Sequence, residues 1–244
     1  MVGIGVDFQS YHDQWLSEGF ADFSGLWYMQ TVRKDNDKYF DMLRRWKGEI
    51  LARRGEPGPI SLGYRVYAFK DYDNDYQTIV YRKGAWVGHM LRILMLDLKT
   101  MNEDRFTETM RDFYRKFEGQ RATTEDFRKV VEQHAGTDMG WFFNQWVYAA
   151  ATPTYRVAYH TDRSADGQFK VKLRVLQDNV SEDFQAFVPV TLDLGKDRKA
   201  RLRVKVRGPR TEIDLPPMPA EPKNLRFNDL EGVLADVKMV DWRD

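Results

Sequence analysis

The stretch Trp141-Phe142-Phe143-Asn144-Gln145-Trp146-Val147, followed after Pro153 by Thr154-Tyr155-Arg156-Val157-Ala158-Tyr159-His160, changes period in its middle. Before the proline, Met139, Phe142, Phe143, Trp146 and Val147 recur at helical spacing, with Asp138 expected to cap their helix. After it, Tyr155, Val157 and Tyr159 alternate with Arg156, Ala158 and His160, the period of a strand with one polar face. A single segment cannot satisfy both periods. The sequence therefore predicts an α + β chain of two domains: a helical lobe over 1–150 and an antiparallel β-sandwich over 151–244.

Working downstream, the alternation recurs three times. Phe169, Val171, Leu173 and Val175 alternate with Lys170, Lys172 and Arg174; Val188, Val190, Leu192 and Leu194 form a third strand; Ala200, Leu202, Val204 and Val206 form a fourth. Asp166-Gly167 and Gly195-Lys196-Asp197 stand where hairpin turns belong. Upstream, Trp15, Leu16, Phe20, Phe23, Leu26 and Trp27 predict a helix from Asp13 to Met29, and a second runs from Asp37 to Arg53. Arg54-Gly55-Glu56-Pro57-Gly58-Pro59 breaks it, and a loop with Tyr64, Tyr67, Tyr72 and Tyr76 leads to a helix from Lys83 to Leu98. Phe106, Met110, Phe113 and Phe117 mark a further helix. Thr123 and Asp126 form a reciprocal capping pair ahead of Phe127, Val130, Val131 and His134, and Gly136 stops that helix.

The 244 residues carry a net charge of +1, which gives no electrostatic footprint for nucleic acid or an anionic membrane. The charged fraction is 31% and the apolar fraction 42%, a globular balance. Without cysteine there are no disulfides and no thiolate metal sites. No apolar run is long enough to span a bilayer, and the N-terminus lacks the layout of a signal peptide, so the compartment stays open. Aromatic residues crowd the first 150 positions. They predict either a core of large rings or a surface that expects a cover.

Few residues offer chemistry. Glu18 sits in an aromatic helical run beside Gly19, which permits close approach; by burial pattern alone it is a partly solvated helix carboxylate. Tyr81 stands at the entry of a helix, where a ring usually packs and its hydroxyl bonds nearby. His12, His89, His134 and His160 show no i, i+4 pairing, and His-Glu-x-x-His occurs nowhere. The last three read as structural. These residues alone do not make a complete active site.

Several strings resemble a known family. Asp13-Gln14-Trp15-Leu16-Ser17-Glu18-Gly19-Phe20-Ala21 is similar to the stretch around the third zinc ligand of the M1 metallopeptidases, gluzincin aminopeptidases with a thermolysin-like catalytic domain. Tyr81-Arg82-Lys83-Gly84-Ala85-Trp86-Val87-Gly88-His89-Met90-Leu91 resembles their tyrosine segment. Thr123-Thr124-Glu125-Asp126-Phe127 and Trp141 to Val147 look like their later helices. The resemblance implies that Glu18 is a zinc-binding carboxylate and Tyr81 the hydroxyl that stabilises the transition state. It also implies that Asp22, one turn after Glu18, orients a histidine ligand, and that a small β domain follows the catalytic one.

In that family the His-Glu-x-x-His helix lies eighteen residues ahead of the glutamate. Seventeen residues precede Glu18 here, so the expectation is a C-terminal portion that lacks two histidine ligands and the general base. Such a chain is expected to bind no zinc and to be inactive alone. The parent would hold zinc and take peptide substrates, and the uncovered lobe is expected to self-associate or to pack on the missing N-terminal part of the catalytic domain. Two other readings are weighed: a noncatalytic peptidase-like interaction module, and a carbohydrate- or protein-binding sandwich with a helical accessory. The latter predicts exposed aromatics on the sandwich, where Trp242 is the single tryptophan after Pro153.

Overall fold

A computed structural model describes residues 5–53, 55–68 and 74–242. Arg54 and Tyr72 lie outside the described residues. The chain divides into two compact units, Met1–Ala151 and Thr152–Asp244.

The first unit is built on a central helix, α1 (Trp15–Thr31), preceded by a 3-10 turn at Tyr11–Asp13. Helix α2 (Asn36–Ala52) follows; Asp35 caps it by accepting from Lys38 N at 3.0 Å. The expected loop contains 3-10 turns over Ile60–Ala68, kinked at Gly63. Helical structure begins before the expected Lys83, because a π-helical turn, Gln77–Lys83, runs into helix α3 (Gly84–Met95), which ends three residues short of Leu98. Then come α4 (Asp104–Phe117), α5 (Thr124–Ala135) and α6 (Gly140–Trp146). Thr123 and Asp126 make both bonds of the capping box on α5, and Gly136 ends it in a left-handed conformation. The cap of α6 is Met139 rather than Asp138, whose carboxylate instead accepts from Gly140 N at 3.3 Å. A parallel pair that has no alternating signature, β1 (Asp7–Phe8) with β2 (Arg121–Ala122), closes the unit.

Large rings fill its core. Trp15, Phe20, Phe23, Trp86, Phe113 and Phe127 are essentially inaccessible, and each stabilises the fold by roughly 1.5–3 kcal/mol through burial alone. The indoles also find acceptors: Trp15 Nε1 donates to Thr124 Oγ1 at 3.0 Å and Trp86 Nε1 to the Leu43 carbonyl at 3.2 Å. Asp13 is buried because its carboxylate accepts from Thr124 N at 2.7 Å, an anion at the start of α5.

The second unit holds two sheets. One has the order β7-β4-β3-β9, with β3 at Thr154–Arg163, β4 at Phe169–Asp178, β7 at Arg210–Asp214 and β9 at Asp236–Met239. The other has the order β6-β5-β8, with β5 at Gln185–Asp193, β6 at Lys199–Arg207 and β8 at Asn224–Phe227. The expectation of an antiparallel arrangement fails at one edge, where β9 runs parallel to β3. Its chain arrives from β8 of the other sheet, and only adjacent strands joined by a tight turn are bound to be antiparallel. Pro189 is tolerated inside β5 because β8 pairs only from Val190 onward, so one side of the strand is open there. The ring of Tyr155 on β3 meets that of Phe227 on β8, centroids 5.5 Å apart, which brings residues of the two sheets together.

Candidate functional site

Two glycines decide where the candidate residues fall. A Cβ on Gly19 of α1 would stand 2.8 Å from the Cα and carbonyl carbon of Gly84, and one on Gly84 would stand 3.0 Å from Gly19 Cα. Real Cβ contacts do not come that close, so α1 and α3 touch backbone to backbone only because both residues lack a side chain. Gly88, one turn further along α3, lies against the Phe23 ring, where a Cβ would stand 3.0 Å from its Cγ. Glu18 immediately precedes Gly19, and Tyr81 stands three residues ahead of Gly84. The crossing thus brings together two residues that the sequence separates widely.

Glu18, Asp22 and Tyr81 are all half-buried. The Tyr81 hydroxyl hydrogen-bonds to the Glu18 carboxylate. Burial, that bond and the neighbouring Glu18, Tyr76 and Asp22 all push the phenol's pKa up, so Tyr81 stays a proton donor throughout the neutral range. The Tyr76 ring holds Tyr81 edge-on, centroids 5.5 Å apart. Burial also raises the pKa of Asp22; Arg82 opposes that rise and Glu18 adds to it. Arg82 is itself engaged, donating from Nη1 to Glu49 Oε2 of α2 at 2.6 Å.

The result is a protonated phenol beside two carboxylates one helical turn apart. Chemically it offers one hydroxyl to a developing oxyanion and one carboxylate ligand to a cation. It does not offer a whole zinc site: among the described residues no group of three or more histidine, aspartate or glutamate side chains could hold a metal. Each histidine is placed elsewhere. His12 Nδ1 is 2.8 Å from the Ser61 carbonyl, His89 Nδ1 2.7 Å from Tyr39 Oη, His134 Nε2 2.8 Å from Asp112, and His160 pairs with Asp162 at 3.5 Å. Glu18 offers one carboxylate where a catalytic zinc takes three protein ligands.

Sequence reasoning missed two parts of this site. The π-helical turn that carries Tyr81 has no periodic signature, since one widened turn is lost inside a helical pattern. Lys83 gave no signal either, because a lysine in a sequence is read as solvent-facing, yet it is 1% exposed. Beyond the site, Tyr28 of α1 (55% exposed) and Val32, the residue that ends that helix (60%), face solvent. They border a groove of about 380 Å³ shared with Thr107, Met110 and Tyr114 of α4. No helix of the described residues is long and apolar enough to cross a membrane.

Comparison with known proteins gives these positions a setting. A description of the Peptidase family M1 domain matches residues 2–146. Aminopeptidase N of Caulobacter vibrioides is 24% identical over 150 residues, 62% of this chain and 16% of that protein. Aminopeptidase N of Escherichia coli is 29% identical over 142 residues, 58% of this chain and 15% of that protein. The chain therefore spans about a sixth of the length of these relatives. In fold it is similar to Legionella pneumophila aminopeptidase A, solved in complex with aspartic acid, with a TM-score of 0.66 and 15% identity over 98% of this chain and 25% of that one.

Proposed function

The chain belongs to peptidase family M1, and on that premise we propose that it is the C-terminal portion of a zinc-dependent aminopeptidase, contributing Glu18 as one metal ligand and Tyr81 as the oxyanion donor. The observation that carries this reading is the bond between the Tyr81 hydroxyl and Glu18 across the contact of Gly19 with Gly84. It supports the two roles because a ligand and a donor serving one reacting carbonyl must lie side by side. Asp22, whose carboxyl sits one turn away and feels Glu18, is suited to orient an incoming histidine. The two histidines and the general base belong to a His-Glu-x-x-His segment outside this sequence, and the chain by itself neither holds zinc nor turns over substrate. Residues 1–150 then form the helical lobe of the catalytic domain. Residues 151–244 form a β-sandwich, a reading supported by two sheets, by the alternating burial of β4 and β8 and by the contact of Tyr155 with Phe227.

The test is metal analysis and hydrolysis of aminoacyl anilides, on the chain alone and joined to an upstream His-Glu-x-x-His segment. One zinc per chain and turnover are expected only in the joined protein. Zinc and turnover in the chain alone would refute the division of the site.

A second reading, the noncatalytic interaction module, draws on the exposed Tyr28 and Val32 beside their groove. It predicts that the joined protein stays inactive. The carbohydrate-binding reading has less support, since the exposed large apolar side chains among the described residues of the second unit are Met239 and Val240, neither of them aromatic.

A further inference from the structure

Three consecutive residues follow Tyr81, and each ties its turn to a different part of the first unit. Arg82 reaches Glu49 of α2, Gly84 lies on Gly19 of α1, and Lys83 Nζ donates to the carbonyls of Ala149 and Ala150, at 3.4 Å each, in the chain that follows α6. The lysine is the unusual member. Its side chain is buried, and those two carbonyls are its partners among the described residues, with no carboxylate to offset the charge. A methionine of similar length would fill the same space without taking an ammonium out of water, so packing explains the methylenes and not the charged end. What the ammonium adds is donation: its N–H bonds serve two main-chain oxygens that a thioether cannot.

We propose that Lys83 is a positioning residue for the Tyr81–Glu18 pair: its ammonium, lodged against Ala149 O and Ala150 O, locks the π-helical turn Gln77–Lys83 and so keeps the Tyr81 hydroxyl on Glu18. The turn needs a lock. π-Helical turns are rare, and relaxing this one by a residue into α-helical register would swing Tyr81 by about 100° about the axis. Gly84 fixes the start of α3 from outside the turn, whereas Lys83 is the turn's own last residue. A shift in register would draw Lys83 Nζ off the two carbonyls, so those bonds oppose it. The action is mechanical rather than electrostatic: burial, Glu18, Tyr76 and Asp22 set the proton affinity of Tyr81, and Lys83 is not among them. Burial does lower the ammonium's pKa to about 8, which leaves it charged and donating at neutral pH.

The inference rests on reading Glu18 and Tyr81 as site residues, and its test makes no use of turnover, so it can fail while that reading stands. The readout is the nuclear Overhauser contact between the Tyr81 ring and the Glu18 γ-methylene in the 244-residue chain, with helix content followed by circular dichroism. Lys83→Met is expected to keep its helix content and lose the contact, with faster amide exchange over residues 77–83. Lys83→Arg, which keeps a cationic donor on a side chain long enough to reach both carbonyls, is expected to keep the contact. A contact that survives in Lys83→Met overturns the proposal, and so does its loss in Lys83→Arg. Should Lys83→Met fail to fold, Lys83→Arg decides: folded with the contact supports the lock, while unfolded or folded without it overturns it.

Discussion

Placing alanine at Gly19 should destabilise the chain although alanine is the better helix former, and the same change six residues later in the same helix should not. At Gly19 the new methyl would lie 2.8 Å from backbone atoms of Gly84, while at Gly25 it would meet nothing within 4 Å. Reaching a tolerable 3.4 Å requires α1 and α3 to part by 0.6 Å (3.4 − 2.8), and the obstacle is main chain, which cannot rotate away. Helix propensity favours alanine by about 1 kcal/mol at both sites, so it cancels in the comparison. What remains is the overpacking cost, about 1–3 kcal/mol, with a further loss of dispersion where the parted helices no longer touch. Gly84→Ala, 3.0 Å from Gly19 Cα, should behave like Gly19→Ala; Gly48→Ala, also in open space, should behave like Gly25→Ala. Urea denaturation followed by circular dichroism measures all four. Stabilities that fall in one group, with Gly19→Ala and Gly84→Ala no worse than the controls, would refute the backbone contact and with it the route by which Tyr81 reaches Glu18.

Three further outcomes can be checked. Lys83 has a folded pKa of about 8 against 10.5 in the open chain, so the unfolded state binds its proton more tightly. Stability should therefore rise by about 2 kcal/mol between pH 7.5 and 9.5, and Lys83→Met should flatten that slope in urea titrations at the two pH values. Tyr39, pushed up to about 12 mainly by burial, acts in the opposite sense above pH 10, so measurements should stop below it. Light scattering at high concentration should report self-association of the chain, reduced by Tyr28→Ser with Val32→Ser; a strictly monomeric unsubstituted chain would contradict the uncovered apolar face.

The sequence was most legible where one physical rule governed a whole element. Strand β4 alternates because it buries one face, whereas β5 is buried on both faces from Val188 to Leu192, and the Thr123–Asp126 box declares the start of α5 through backbone donors that need acceptors. The short strands β7, β8 and β9 carry too few residues to establish a period, and β9 is placed by pairing with β3 rather than by its own pattern. Gly19 was readable as a point of close approach, but its partner Gly84 was not, because a glycine in a helix has several causes and only tertiary structure selects one. Glu18 and Tyr81 could be singled out by resemblance; that they hydrogen-bond depends on the helix crossing, which no local window contains. Lys83 was invisible for a different reason. Burial of a charge runs against the preference that makes lysine a surface signal.

The roles given to Glu18 and Tyr81 separate most cleanly in one experiment: zinc content and steady-state kinetics of the chain joined to an upstream His-Glu-x-x-His segment, compared with its Glu18→Gln and Tyr81→Phe variants. Glu18→Gln should lose zinc, because the amide removes the charge of a ligand. Tyr81→Phe should keep zinc and lower kcat by a factor on the order of 10²–10³, the loss expected for one oxyanion donor. Undiminished turnover in Tyr81→Phe, or zinc held with unchanged affinity by Glu18→Gln, would contradict the account.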